Sequence, residues 1–152
     1  INGGAGNDRI TGDTSDGLGS GNDILNGGDG DDIITGDTGR GTGSGNDIIH
    51  GDAGNDGLIG DSTFDLGTGN DIIYGDDDND TIWGDSESGD GTGNDTIYGG
   101  AGNDSVGGDS RFANGSGDDV IDGGDGFDLN SGPGNSGDTV TNVELDISTG
   151  DN

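Results

Sequence analysis

The sequence has no cysteine and only three basic residues among 152. Without cysteine there is no disulfide framework and no thiolate metal centre. That absence is compatible with a secreted chain stabilised by metal instead. The basic residues are all arginines, Arg9, Arg40 and Arg111. Binding a phosphate backbone requires clustered Lys and Arg, so nucleic acid is excluded as a partner, and adhesion to an anionic membrane is disfavoured for the same reason. No apolar run approaches the ~20 residues of a membrane-spanning helix, which argues against membrane insertion. Apolar residues are scarce throughout, at 22%, while 33 acidic residues bring the formal charge to -30. Such a composition alone reads as disorder, because too little apolar surface is available to offset the ordering of the chain. A folded state needs an agent that neutralises carboxylates and substitutes for apolar burial. Hard divalent cations do both, since their ligands are carboxylate and carbonyl oxygens.

What the chain has in abundance is glycine, 40 residues, and it is periodic. Segments beginning at Gly3, Gly27, Gly51, Gly75 and Gly99 align as units of 24 residues, with a partial sixth from Gly123. Each unit has a short half of nine residues, such as GGAGNDRIT (Gly3 to Thr11) or GGDGDDIIT (Gly27 to Thr35). A long half of fifteen follows, such as GDTSDGLGSGNDILN (Gly12 to Asn26), which reads as the short half with its turn enlarged. Both halves close on Gly-Asn/Asp-Asp followed by a short aliphatic strand.

The short halves fit G-G-x-G-x-D-x-U-x, with U a large apolar residue, a repeat known to carry Ca²⁺. In this the chain resembles the repeats-in-toxin (RTX), or haemolysin-type calcium-binding, family over almost its whole length, from Gly3 to about Asp138. Eleven half-units in one register carry the resemblance. It implies a right-handed parallel β-roll, an all-β solenoid with alternating nine-residue and fifteen-residue half-turns. It also implies Ca²⁺ shared between backbone carbonyls of one turn and aspartates of its neighbours, and type I secretion to the bacterial cell surface or medium.

The residue types suit that chemistry. Glycines at positions 1, 2 and 4 of the short half allow positive φ and close backbone approach, so Gly3, Gly27, Gly51, Gly75 and Gly99 join the candidate metal site. Position 6 is aspartate in every half-unit: Asp8, Asp32, Asp56, Asp80, Asp104 and Asp128 on the short side, and Asp23, Asp47, Asp71, Asp95 and Asp119 on the long side. Carboxylates stacked at a strand spacing of ~4.8 Å repel one another unless cations lie between them. The long turns carry a further aspartate at position 2, Asp13, Asp37, Asp61, Asp85 and Asp109. Two readings stand for these: additional ligands for a looser turn, or Gly-Asp as a good turn start. The gaps between six short and five long turns number about nine, the expected count of Ca²⁺ ions.

Position 8 falls on the inward face of each strand, since side chains alternate. It is occupied by Ile10, Leu25, Ile34, Ile49, Leu58, Ile73, Ile82, Ile97, Val106 and Ile121. Core positions are far fewer than residues to be ordered, so Ca²⁺ binding and folding are expected to be coupled. Some positions depart from the pattern. Asp78 replaces a turn glycine, which aspartate tolerates better than most residues. Phe127 and Asn130 break the last short half, Asn130 standing where an aliphatic belongs. The roll is therefore expected over 1–131. Residues 132–152 are expected to be a cap or the start of a following segment, with a capping strand between Thr139 and Ile147. The sequence opens at Ile1 inside the repeat and is read as a piece of a longer protein with further domains, either a structural or adhesin module or the C-terminal folding domain of a secreted hydrolase or toxin.

Competing motifs are weak. Asp76-x-Asp78-x-Asp80 resembles the start of an EF-hand, but Thr81 stands at its glycine position and the closing glutamate is missing. His50, the sole histidine, lies on an outward strand position and reads as a solvated β residue, so no enzyme is expected here. Beyond Ca²⁺, a protein, ice or glycan partner is left open. One candidate surface is the outward strip with Ile48, Ile72, Tyr74 and Tyr98, for which plain β-propensity is the rival reading. Another is the array Ser20, Ser44, Thr68, Thr92 and Ser116, which resembles the Thr-x-Asn/Asp arrays of ice-binding β-rolls in bacterial adhesins.

Overall fold

The computed structural model describes residues 1–112, 115–132 and 137–146. Within them the 24-residue period becomes one coil of a β-solenoid. Fourteen strands follow one another. The odd-numbered ones form the first sheet: β1 (Asn2–Ala5), β3 (Ile24–Asp29), β5 (Ile48–Ala53), β7 (Ile72–Asp77), β9 (Thr96–Ala101), β11 (Val120–Asp125) and β13 (Thr139–Thr141). The even-numbered ones form the second: β2 (Arg9–Thr11), β4 (Ile33–Thr35), β6 (Gly57–Ile59), β8 (Thr81–Trp83), β10 (Ser105–Gly107), β12 (Leu129–Asn130) and β14 (Leu145–Asp146). Each sheet has seven strands, ordered along the chain and paired in parallel. Among the described residues there is no helix, and so none long and apolar enough to cross a membrane.

Register follows the repeat. Ile24 pairs with Ile48, Ile48 with Ile72, and Ile72 with Thr96. A one-residue slip would turn every inward side chain outward. The ten position-8 residues form the core cluster between the sheets, and all but Ile10 are essentially without solvent contact. Asn130 takes the next place in that ladder, opposite Val106, and is buried.

Two features of the turns decide where glycine is needed. Positions 2 and 4 of the short turns lie in the left-handed region, as at Gly28 and Gly30. Asp52, Asp76 and Asp78 keep that geometry with φ of 71°, 75° and 77°, so the turn containing Asp78 survives its substitution. Position 1 has no such requirement. Its glycine is needed for space, and that space belongs to the site below.

The tail adds one strand to each sheet, β13 beside β11 and β14 beside β12. Ile147, the last residue of the expected capping strand, lies outside the described residues. The long turns also stack, through single bridges joining Thr14, Thr38, Ser62, Ser86 and Ser110 in turn. Their loops cover part of the outer face of the second sheet, where Thr35, Ile59 and Trp83 are buried and the Thr35 and Thr63 hydroxyls lie 3.4 Å apart.

Candidate metal centre

Each turn ends on a pair of residues placed immediately before the strand, Asp at position 6 and, except at Phe127 in the last short turn, Asn or Asp at position 5. Their side chains run two ladders along the solenoid. At position 5 the backbone N–H of one coil donates to the side-chain oxygen of the coil before it: Asn70 to Asn46 at 2.9 Å, Asn94 to Asn70 at 2.7 Å. At position 6 the direction reverses. Asp32 N–H donates to Asp56 Oδ1 at 2.7 Å, Asp56 to Asp80 at 2.8 Å, and Asp47 to Asp71 at 2.7 Å. From Asp32 and Asp47 onward, each carboxylate thus has one oxygen tied to the preceding turn.

The other oxygen is not tied. The Oδ2 atoms of Asp8, Asp23, Asp32, Asp47, Asp56, Asp71, Asp80, Asp95, Asp104, Asp119 and Asp128 are buried and accept no hydrogen bond. These are the eleven position-6 aspartates. An orphaned buried carboxylate oxygen is costly, and native folds rarely leave one without a proton, a donor or a cation. The position-1 glycines show what lies beside these atoms. A Cβ on Gly51 would collide with Asp56 Oδ2 and come within 2.6 Å of the Gly75 carbonyl oxygen. Gly27 repeats this with Asp32 and Gly51, Gly75 with Asp80 and Gly99, and Gly99 with Asp104 and Gly123. On the long side, Gly36 and Gly60 place the carbonyls of Gly60 and Gly84 beside Asp47 and Asp71. The space that glycine leaves is therefore lined by a carboxylate of one coil and a carbonyl of the next. An all-oxygen donor set between coils suits a hard cation of Ca²⁺ type.

The position-2 aspartates of the long turns do two things. One oxygen closes the turn: Asp37 Oδ2 accepts the N–H groups of Ser44 and Gly45, both at 2.6 Å, and Asp61 Oδ2 accepts that of Gly69 at 2.6 Å. The other oxygen, Oδ1 of Asp37 and of Asp61, is buried without a partner. The turn-start reading is thus met by one oxygen of each, and the other oxygen is left over. Asp13, in the first coil, is exposed, and the Gly21 and Ser20 amides hold its carboxyl below the ordinary range. Asp85 receives the Gly93 N–H, and Asp85 and Asp109 are buried.

Electrostatics point the same way. Burial pushes the carboxyls of Asp47 and Asp56 up to about 7 and about 6. Burial and the neighbouring Asp71 push Asp61 up to about 10. Asp80 and Asp109 rise to about 8, and Asp23, Asp104 and Asp128 also rise, with burial the largest cause in each. Protons would hold such an array neutral, as would divalent cations.

The remaining sequence candidates fall elsewhere. His50, Tyr74 and Tyr98 stack on the outer face of the first sheet, with ring centroids 4.5 Å and 5.0 Å apart. His50 also meets Asp76 Oδ2 at 3.0 Å, so it is a half-buried, partnered residue and not simply a solvated one. Ile72 and Tyr98 are exposed, while Ile48 is half-buried. In the hydroxyl array, Ser44 and Thr68 hydroxyls point back to the carbonyls of Gly19 and Gly43 at 3.4 Å and 3.3 Å.

The family model of the RTX calcium-binding nonapeptide repeat (4 copies) matches residues 1–16, 19–42, 42–66, 57–88, 90–110 and 115–129. No curated protein and no solved structure matches the chain.

Proposed function

The chain belongs to the RTX calcium-binding nonapeptide repeat family, and on that premise we propose that Ca²⁺ bound between successive coils drives its folding. The observation that carries this reading is the set of eleven buried, unpartnered Oδ2 atoms, each flanked by the space its position-1 glycine leaves open. The ligands are then the position-6 aspartates together with carbonyls of Gly27, Gly51, Gly75 and Gly99. Asp37, Asp61, Asp85 and Asp109 lend a further oxygen on the long side, with Asp13 as their counterpart in the first coil and Gly3 opening the first short-side space. Bound Ca²⁺ would supply the charge that lets the carboxylates stay ionised in a buried stack.

The module spans 1–131, with 132–152 as its cap or the start of a following segment, and serves as the folding part of a larger secreted or cell-surface bacterial protein. The chain would stay expanded by self-repulsion where Ca²⁺ is scarce. Sites of the ~10⁻⁴–10⁻³ M affinity found in extracellular modules would then close outside the cell. Any catalysis would belong to another domain of the parent. Small-angle X-ray scattering tests this. The radius of gyration is expected to fall from about 40 Å in chelator to about half that in Ca²⁺. An unchanged radius would end the proposal.

A second reading is supported by the exposed strip around Ile48, Ile72, Tyr74 and Tyr98: an adhesin-like contact with a protein, ice or glycan. Loss of surface binding in Tyr74→Ala/Tyr98→Ala, with Ca²⁺ binding intact, is the outcome it predicts.

A further inference from the structure

The last aspartate of each ladder should have no following coil to close its site. Asp119 and Asp128 end the two runs, yet both are buried and both keep an unpartnered Oδ2. The tail supplies what is missing. Asp119 N–H donates to Asp138 Oδ1 at 3.2 Å, as Asp95 N–H donates to Asp119 Oδ1 at 2.9 Å one coil earlier. Asp128 N–H donates to Glu144 Oε2 at 2.8 Å, as Asp104 N–H donates to Asp128 Oδ1 at 2.9 Å. The offsets are 19 and 16 residues where the repeat has 24.

Strand register explains how shorter turns reach the same place. Val120 pairs with Thr139 and Leu129 with Leu145. Asp138 therefore precedes its strand as Asp119 does, and Glu144 precedes its strand as Asp128 does. Glutamate's extra methylene suits a turn reduced to Asn142 and Val143. Asn142, at φ 50°, stands opposite Gly123. A Cβ on Gly123 would collide with the Asn142 carbonyl oxygen and lie 2.8 Å from Asp128 Oδ2, the arrangement each earlier short turn has with the next glycine. On the long side, oxygens of Asp109, Asp119 and Asp138 lie within 4.8 Å of one another.

We propose that the tail closes two more Ca²⁺ sites, one between Asp119 and Asp138 with Asp109, and one between Asp128 and Glu144 with the Asn142 carbonyl. This rests on the reading of the repeats as Ca²⁺ sites and extends it to residues outside any repeat. It makes the tail a metal-bearing coil and raises the count from nine ions to eleven.

Native mass spectrometry of the full chain in saturating Ca²⁺ tests it, with Asp138→Asn, Glu144→Gln and the double variant in parallel. Circular dichroism checks that each variant folds. Eleven ions in the parent chain, ten in each single variant and nine in the double variant are expected. Nine ions in the parent chain, or an unchanged count in the folded double variant, would overturn the proposal while leaving the repeat sites standing. No bound Ca²⁺ in the parent chain would instead refute the repeat reading itself. Should the double variant fail to fold, the parent count of eleven or nine still decides.

Discussion

Gly60→Ala probes the space on which the metal reading depends. A Cβ there would collide with both the Gly84 carbonyl oxygen and Asp71 Oδ2, closing one site in the middle of the roll. Losing one ion of Kd about 10⁻⁴ M at about 10 mM free Ca²⁺ removes about 2.7 kcal/mol. Forcing carbonyl and carboxylate apart adds about 1–3 kcal/mol. If nine or more ions bind with folding, a loss of about 5 kcal/mol raises the Ca²⁺ midpoint about 2- to 3-fold. Gly57→Ala, three residues earlier, is the control. Its Cβ meets nothing closer than the Asp32 carbonyl at 3.9 Å, so it is expected to be neutral or to gain about 0.4–1 kcal/mol through the unfolded chain. The assay is Ca²⁺ titration by circular dichroism, with ion counting on each variant. If Gly60→Ala keeps its ion count and shares a midpoint with Gly57→Ala, the glycine space is not a cation site.

Two further outcomes are expected. Because burial holds Asp47, Asp80 and Asp109 at about 7 to 8 against an ordinary 3.8, the cation-free fold binds protons that the unfolded chain releases. Its carboxyl-linked stability is fully present below about pH 4 and is lost progressively as pH rises from there through about 7 to 8. In chelator, residual β-structure should therefore fade over that window. With the metal present, Ca²⁺ competes with those protons only while the cation-free chain holds them, so its midpoint should drop as pH rises from about 5 and level off once the unfolded, already ionised chain is the starting state; a midpoint still falling steeply above about pH 8 would contradict this. Gly107→Ala would drive a Cβ into the Trp83 ring, exposing it at a cost of about 1–3 kcal/mol, to be read as a red shift in tryptophan emission.

What repeats was legible in the sequence. The position-8 ladder from Ile10 to Ile121 was readable because strand alternation leaves each aliphatic one inward place, and Asn130 was readable as its interruption. Family and solenoid architecture were equally plain from the spacing of glycine and aspartate. What does not repeat was hidden. Asp138 and Glu144 sit at shortened offsets, so periodicity passes over them; the only signal was a carboxylate immediately before a short strand. The asparagines of position 5 were seen as part of a signature, but their hydrogen-bond ladder requires knowing that coils stack in parallel. It ends at Phe127, whose N–H still donates to Asn103 Oδ1 at 3.0 Å but whose side chain has nothing to offer onward. The burial of Trp83 depends on where the long loop falls, which no local pattern specifies. Of the two properties credited to position-1 glycine, positive φ is not used, while close backbone approach is what the stacked coils require.

The most direct test of the central claim is circular dichroism of the chelated chain during Ca²⁺ titration at neutral pH, with Mg²⁺ as control. Mg²⁺ demands near-ideal octahedral geometry and sheds water reluctantly, so it should leave the chain unfolded. A cooperative coil-to-β transition with Ca²⁺ alone is the predicted result. A β-signature already complete in chelator and indifferent to Ca²⁺ would contradict the account.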